Sequence, residues 1–459
     1  AIFDDTDDEG AEAFRIRIFG ATGGGVVVPP NFSTVIILDN ELRDSLPGPK
    51  GEGANGPVYA VSMDQENNAL VAGEFNKIND LDVTRLARLT DKGLLDSSFD
   101  VVLGPNNTVF CMELDESGAI YIGGLFNQIN NVNRQHLARL DAGGEVDLSF
   151  DPGNRVAGSV FDISLGWNRI LAAGEEGLVS LELDGSRVKG FTPPEIDGNV
   201  FAVMQQSNGR IIIGGEFTKV NGVSRNNVAQ LNQDGSVDKG FDPGEGPNAS
   251  VHDLAVDSDG ILIGGLFVTV DGLSSRRLAR LGFDGRLNRD FKIGSGFNGP
   301  VQTIYRRVDG RYLVGGSFTS YDGSPQNNVT LINGDGSRTR NELGMLYLNG
   351  PVYSVSENPG GSSVFGGSFT KDKERGYNSF ALLDHISSVR PPELGIVLGG
   401  AGYQLTVEGA IDRRYYLEFS DNLIDWQGLT EVLIPDEGTV VIDLGQFTGS
   451  RYYRAVYNE

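Results

Sequence analysis

The chain has 459 residues, of which 64 are glycines and only one is a cysteine, and its formal net charge is −25. Such an acidic chain repels phosphate backbones and anionic lipid heads, so we expect no nucleic-acid binding, and the lack of an apolar run of roughly 18 residues excludes membrane insertion by a helix. Cys111 alone cannot form an intramolecular disulfide, and its strand-like surroundings favour a buried, inert thiol.

Residues 1–41 form the first predicted module. An alternating run at residues 12–18 and a second β-rich run at residues 34–38 predict two strands on either side of a glycine-rich turn. Acidic residues before the first run and after the second, with a Glu-Gly-x-Glu-x-Phe motif between them, resemble the C-terminal half of a Calx-β domain. Hard carboxylate oxygens suit Ca²⁺, and the resemblance implies these ligands: Asp4, Asp5, Glu9, Asp39 and Glu41.

The first half of that β-sandwich is absent from this sequence. A partial sandwich exposes sheet edges, which another protein chain or a second copy of this one could complete by strand addition. Because the chain starts in the middle of such a module, we expect it to be a segment of a longer precursor.

A glycine-centred strand recurs along the middle of the chain, as in Ile263-Gly264-Gly265-Leu266-Phe267. The interval between copies is 50 or 51 residues except for one of 41. The second glycine of the seven copies falls at these positions: Gly73, Gly124, Gly174, Gly215, Gly265, Gly316 and Gly367. A period of about 50 residues is typical of a propeller blade.

Each repeat has the same internal order. It runs from an Asn-Gly-Pro-Val start through an alternating strand, the Gly-Gly strand, an Asx-Gly turn and a Leu-Ala-Arg-Leu strand to a closing Asp-Gly-Ser-x-Asp-x-x-Phe segment. Three short apolar runs separated by Asx-Gly turns, with a fourth strand at the end, predict a four-stranded antiparallel sheet. The pattern resembles the delta-60 repeat family of bacterial propeller-like proteins, which implies an all-β fold with a seven-bladed β-propeller at residues 42–388.

Two repeats depart from the pattern. In the third, Glu175-Glu176-Gly177 leads directly into the next strand, so the intervening loop is missing. That gap could be a docking notch or simple drift of a surface loop. The seventh repeat lacks its closing segment, and we expect residues 42–46 to supply the outer strand and so close the ring.

Residues 389–459 follow a stiff Pro391-Pro392 linker and contain short alternating strands. They predict a small β-sandwich and resemble the Ig or fibronectin-like modules of bacterial surface proteins. Trp426 and the tyrosine pairs of this module could stack on sugars, although such residues are far more often core and strand-pair residues.

The sequence contains no recognisable catalytic motif. Its three histidines, His136, His252 and His385, fall at different places in their repeats and predict no ring around a channel. The composition and the resemblances together indicate a non-enzymatic segment of a large secreted or cell-surface protein, which acts in adhesion, extracellular matrix or filament assembly. The alternative is a propeller that binds or cleaves carbohydrate, including surface glycans, and it predicts aromatic and acidic residues clustered on one face.

Overall fold

The structure is a computed structural model. It describes these residues: 12–17, 32–37, 53–90, 93–99, 101, 103–166, 168–339, 348–358, 361–370, 378–383, 393–399, 402–408, 414–420, 427–433, 439–445 and 452–457. All regular elements among them are β-strands. The chain divides into two compact units, residues 46–386 and residues 1–45 with 387–459.

The larger unit contains seven three-stranded antiparallel sheets in the described part of the chain, here called sheets 1 to 7 in chain order. Their first strands are Val58–Met63, Val109–Leu114, Val160–Leu165, Asn199–Gln205, Val251–Asp257, Val301–Arg306 and Val352–Glu357. Their second strands are Ala69–Gly73, Ile120–Gly124, Ile170–Gly174, Ile211–Glu216, Gly260–Gly265, Tyr312–Gly316 and Ser363–Gly367. Their third strands are Leu86–Leu89, Leu137–Leu140, Gly177–Leu181, Val228–Leu231, Leu278–Leu281, Val329–Ile332 and Phe380–Leu383.

The first strand of each sheet contacts the first strand of the next sheet, and the first strand of sheet 1 contacts that of sheet 7. The sheets therefore form a closed ring around a central channel, which is the arrangement of a β-propeller. The core lies between neighbouring sheets. For example, Leu70 and Ala72 of sheet 1 pack with Met112 and Ile122 of sheet 2 in one buried cluster.

Contacts between sheets 7 and 1 close the ring. The backbone N–H of Val61 donates to Ser354 Oγ at 3.2 Å, and Asn358 Nδ2 donates to Asn67 Oδ1 at 2.6 Å. Val364 of sheet 7 belongs to the same buried cluster as residues of sheet 1. Residues 42–46, predicted to add an outer strand here, lie outside the described residues.

The two glycines of the Gly-Gly strand are required by close packing. A Cβ atom on Gly265 would lie 2.1 Å from the carbonyl oxygen of Ser250, directly before the neighbouring strand. A Cβ atom on Gly264 would lie 2.5 Å from Val301 Cγ1 in the next sheet. The first glycine thus allows two sheets to approach, and the second allows two strands of one sheet to approach.

Small hairpins connect the second and third strands of five sheets, three of them at the predicted Asx-Gly turns and two at Asn79-Asp80 and Asn130-Asn131, which also have positive φ values. Asn221 and Gly222 adopt φ values of 49° and 73°, the left-handed conformations that a type I′ turn requires. The hairpins pair these strands: Lys77–Ile78 with Leu81–Asp82, Gln128–Ile129 with Val132–Asn133, Lys219–Val220 with Val223–Ser224, Thr269–Val270 with Leu273–Ser274, and Ser320–Tyr321 with Ser324–Pro325. In sheet 3, Gly174 pairs directly with Gly177, so the third strand follows without a hairpin, as the sequence indicates.

The fourth segment of the repeat is shorter than predicted. It forms a single β-bridge to the third strand rather than a full strand, for example between Leu140 and Val146. The reason is local, because the Asp147 carboxylate accepts hydrogen bonds from the N–H and hydroxyl of Ser149 at 2.8 and 2.7 Å. These bonds turn the chain away from the sheet immediately after the bridge.

The smaller unit contains strands Glu12–Arg17 and Phe32–Ile37, which pair in antiparallel fashion with Phe14 opposite Val35. It also contains two three-stranded sheets. One has Glu393–Gly399, Gly402–Glu408 and Thr439–Gly445, and the other has Gln427–Leu433, Arg414–Ser420 and Tyr452–Tyr457.

Leu405 and Val407 of the first of these C-terminal sheets share a buried cluster with Leu417, Val432 and Tyr453 of the second. The two sheets therefore pack face to face, as a β-sandwich does. The Calx-β and Ig or fibronectin-like assignments, and the domain boundaries, stay predictions. Trp426 lies outside the described residues.

Candidate functional site

Each first strand of the larger unit contains a β-bulge at the residue that follows a valine near the start of the strand. In all seven sheets the pairing register shifts by one residue directly after this valine, as between Val58 and Ala60. A bulge leaves one residue unpaired and redirects its side chain. The redirected residues are Tyr59, Phe110, Phe161, Phe201, His252, Gln302 and Tyr353, which we call the collar.

Six of the seven neighbouring pairs of collar side chains contact each other in ring order. The centroids of Tyr353 and Tyr59 lie 5.3 Å apart. The next four separations, from Tyr59 to His252, are between 5.5 and 5.6 Å. His252 Nδ1 then lies 2.9 Å from Gln302 Oε1. Six rings and one amide therefore surround the channel, one from each sheet.

Neighbouring collar rings are inclined to each other by 32° to 90°. The rings therefore do not all lie flat across the channel as a plug would. All seven collar side chains are half-buried, whereas aromatic side chains that serve only as core are usually covered completely. The collar thus presents apolar, π-electron-rich surface that solvent can reach.

A second set of residues directly follows the last glycine of each second strand, at the same end of the channel, and we call it the rim. It consists of Glu74, Leu125, Glu175, Glu216, Leu266, Ser317 and Ser368. Burial raises the pKa of the Tyr59 hydroxyl and Glu74 raises it further, which places that carboxylate near the collar. Glu216 acts in the same electrostatic way on His252. The rim is therefore acidic on sheets 1, 3 and 4.

His252 participates in a short hydrogen-bonded chain. Ser250 Oγ lies 3.0 Å from His252 Nε2, and His252 Nδ1 lies 2.9 Å from Gln302 Oε1. When Nδ1 donates its proton to the amide oxygen, Nε2 accepts from the serine hydroxyl. Burial lowers the pKa of His252 despite the opposing effects of Gln302 and Glu216, so the ring is neutral near pH 7.

The three hydrogen-bonded side chains have the order of a serine–histidine–acid triad but not its chemistry. Gln302 is uncharged and cannot stabilise an imidazolium ion in the way that a buried aspartate does. Ser250 is only 6% exposed, which leaves little room for a substrate carbonyl. The arrangement fixes the orientation of the His252 ring within the collar.

Carboxylates of the first strands lie deeper along the same strands. Asp253 Oδ2 accepts a hydrogen bond from the N–H of Ile304 at 2.6 Å, and Asp162 Oδ2 accepts one from Val203 at 2.7 Å. Each carboxylate thereby connects its sheet to the following sheet. Burial raises the pKa of Asp253 and of Glu113 to about 7 and that of Asp162 well above its usual range.

The predicted calcium ligands Asp4, Asp5, Glu9, Asp39 and Glu41 lie outside the described residues. Within the described ranges, no three histidine, cysteine or carboxylate side chains are grouped closely enough to hold a metal ion. Those ranges also contain no helix that is long and apolar enough to cross a membrane.

The remaining residues considered from sequence have local roles. Cys111 is buried, as predicted, and burial raises the pKa of its thiol well above the usual value. His136 precedes a third strand with a φ of 64° and contacts the carbonyl of Gly124 at 3.2 Å through Nδ1, whereas His252 lies in a first strand. The two described histidines thus occupy different repeat positions, as predicted, and His385 lies outside the described residues.

The collar was missed by sequence reasoning. Its signal is the residue after the valine at or next to the start of each first strand, which is aromatic in five of the seven repeats. The alternating pattern assigns that residue to a sheet face, and only the bulge directs it to the channel.

Comparisons with known proteins support the fold. A family described as "Domain of unknown function (DUF5122) beta-propeller" matches residues 70–99, 117–150, 206–241 and 309–338. No curated protein sequence matches the chain significantly. The match and the ring of sheets confirm the predicted β-propeller fold.

Solved structures resemble the chain only distantly. The extracellular domain of a one-component system from B. thetaiotaomicron is 10% identical, with 87% of this chain and 69% of that chain covered and a TM-score of 0.36. The Pan2 WD40 domain of Neurospora crassa is 10% identical, with 66% and 86% covered and a TM-score of 0.36. The periplasmic gluconolactonase of Pseudomonas aeruginosa is 12% identical, with 58% and 83% covered and a TM-score of 0.23. Likenesses at this level indicate no ligand or activity for this chain.

Proposed function

We propose that the chain is a non-enzymatic binding segment of a large secreted or cell-surface protein that acts in adhesion, extracellular matrix or filament assembly. In this proposal the larger unit is a seven-bladed propeller, whose last blade is completed by residues 42–46. The observation that carries it is the collar, because half-exposed aromatic rings around a channel mouth form a concave surface suited to ligand binding. The Ser250–His252–Gln302 chain lacks the charge that hydrolysis would need.

The smaller unit would contribute through its N-terminal strands. If residues 1–41 are the second half of a Calx-β sandwich, their free edges would pair with another chain or a second copy of this one. Calcium at Asp4, Asp5, Glu9, Asp39 and Glu41 would stabilise that edge. Light scattering of the full chain with Ca²⁺ and with a chelator tests this part, and a monomer under both conditions would contradict it.

Adhesion itself can be tested with the fluorescently labelled full chain on bacterial cells and on isolated extracellular matrix. Retention should fall when Phe161 of the collar is replaced by leucine, because the substitution removes the aromatic face and keeps most of the apolar volume. The matched control is Phe283→Leu, which changes a phenylalanine that is 47% exposed and lies outside the collar. Equal retention of both variants would contradict the assignment of binding to the collar.

A second candidate is carbohydrate binding, which is favoured by aromatic and acidic residues on one face. Tyr59 and Tyr353 could stack on a sugar ring, while Glu74 would accept hydrogen bonds from its hydroxyl groups. A glycan array combined with a screen for glycoside hydrolysis separates this candidate from the first. A blank result in both would exclude it.

A further inference from the structure

We propose that the collar binds an alkylammonium group, which enters the channel from the rim. This inference rests on the proposed binding function and names the chemical class of the ligand. A ring of aromatic side chains is the recurring protein solution for recognising methylated or protonated amines, since the π-electron faces attract a cation and tolerate its methyl groups.

The dimensions of the collar fit such a ligand. Consecutive members lie 5.3 to 5.6 Å apart wherever two rings are neighbours. Seven groups in a closed ring at that spacing lie about 6 Å from its centre, which is also the range within which a ring face attracts a cation. A compact cation at the centre would therefore be within reach of several rings at once, and a small shift would bring it closer to one side.

The charges favour a cation over an anion. Glu74, Glu175 and Glu216 of the rim are exposed and uncompensated by any cationic residue within the collar or rim. His252, the one basic collar member, is kept neutral because burial lowers its pKa. Arg277 on sheet 5 donates a side-chain hydrogen bond to the carbonyl of Leu266, and Arg85, at the equivalent position on sheet 1, donates one to the carbonyl of Pro105.

Buried carboxyl groups lie deeper along the same strands. Asp253 follows His252 directly, and its carboxylate is held by the N–H groups of Leu254 and Ile304 at 2.7 and 2.6 Å. Asp162 on sheet 3 and Asp253 on sheet 5 interact electrostatically although sheet 4 lies between them, which is expected when both face the channel interior. Because burial raises the pKa of Asp253 to about 7 and that of Asp162 well above its usual range, the charge of these groups is reduced near pH 7, so the rim carboxylates supply the negative charge for a cation in the collar.

The polar content of the collar argues against a strongly hydrated ligand. Three of its seven members are phenylalanines, and the Gln302 oxygen already pairs with His252. An alkylammonium needs few hydrogen bonds because its methyl groups carry the contact, whereas a metal ion needs several oxygen ligands.

The test is calorimetric titration of the full chain with tetramethylammonium and with choline. The control ligand is 3,3-dimethyl-1-butanol, which has the shape of choline without its charge. We expect binding of both cations at millimolar concentration and no measurable binding of the alcohol. Absence of binding, or equal binding of choline and the alcohol, would overturn the proposal.

Substitutions in the collar and rim test whether the cation binds there. Phe161→Leu should weaken the affinity for tetramethylammonium by about 2- to 30-fold, the range that one cation–π contact represents, while Phe283→Leu should leave it unchanged. Glu216→Gln, at an exposed position that folding does not require, should weaken it as well. Thermal unfolding of each variant verifies that the fold is intact. Unchanged affinity in both Phe161→Leu and Glu216→Gln would overturn the assignment to the collar.

A competition experiment with peptides distinguishes a protein side chain from a small molecule as the biological source of the cation. A peptide that carries trimethyl-lysine or lysine should compete with tetramethylammonium if the natural ligand is a protein side chain, and only choline-type compounds should compete if it is a small molecule. Loss of cell retention in Phe161→Leu without any cation binding by the parent chain would refute this inference and leave the proposed adhesive function standing. Cation binding by the parent chain without its retention on cells would support this inference and refute the proposed adhesive function.

Discussion

Arg307 and Glu357 form a buried ion pair between sheets 6 and 7, and its removal has a calculable cost. Arg307 Nε lies 3.2 and 3.0 Å from the two carboxylate oxygens of Glu357. The two side chains are only 6% and 2% exposed. Removal of one partner from a buried pair leaves a buried charge without compensation and costs about 3 to 5 kcal/mol, whereas replacement of both partners by apolar residues is close to neutral.

The surroundings make the two single substitutions unequal. Without Arg307, Glu357 retains only the hydroxyl of Ser363, which donates to Oε2 at 3.1 Å. Without Glu357, Arg307 still lies 3.0 Å from Asp309. We therefore expect Arg307→Met to destabilise the propeller by about 5 kcal/mol, Glu357→Met by about 3 kcal/mol, and the double substitution by less than either one.

Urea unfolding followed by circular dichroism measures the three free energies of unfolding. Hydrogen exchange in Val301–Arg306 and Val352–Glu357 shows whether the loss is local to sheets 6 and 7. The control is Arg286→Met, which removes an exposed pair with Asp284 at 3.9 Å and should change stability by less than about 0.5 kcal/mol. The reasoning would be refuted if the double substitution cost as much as the two single substitutions together, or if Arg307→Met cost no more than the control.

Three further predictions concern other parts of the ring. Asp253 has its pKa raised from 3.8 to about 7 by burial, so its folded carboxyl retains a proton that the unfolded chain has lost. Stability should therefore fall by up to about 4 kcal/mol between pH 4 and pH 7 and then level off, and pH-dependent calorimetry should show a smaller fall in Asp253→Asn. Gly265→Ala forces a backbone shift and should cost about 2 kcal/mol or more, whereas Gly222→Ala, with a φ of 73° and open space around it, should cost about 1 kcal/mol in the same urea assay. Ser354→Ala removes the hydrogen bond to the N–H of Val61 at the ring closure and should cost about 1 kcal/mol, with faster exchange of that amide.

The repeat motifs allowed the fold to be predicted because each motif residue has a local structural reason. Asn298, from the Asn-Gly-Pro-Val motif, accepts hydrogen bonds from the N–H groups of Thr319 and Ser320, each at 2.9 Å. Arg139, from Leu-Ala-Arg-Leu, donates to Asp147 in its own repeat and to the carbonyl of Leu183 in the next one. Such requirements recur with the period of the blade, so sequence periodicity reveals them.

Features that depend on several sheets at once could not be predicted in the same way. The Arg307–Glu357 pair joins residues 50 positions apart that share no motif. The collar depends on the bulge, which inverts the direction that simple strand alternation assigns to Tyr59 and its counterparts. Sequence reasoning therefore identified the repeats and missed the surface where they converge.

The central claim, that the collar is a cation-binding site on the channel axis, is tested most directly by diffraction from crystals of the full chain soaked in tetramethylarsonium. Arsenic scatters anomalously and marks the position of the cation without reference to the protein model. The account predicts one dominant arsenic peak at about 6 Å from the collar ring centroids, which Phe161→Leu weakens. An empty channel, with arsenic only at scattered surface positions, would contradict it.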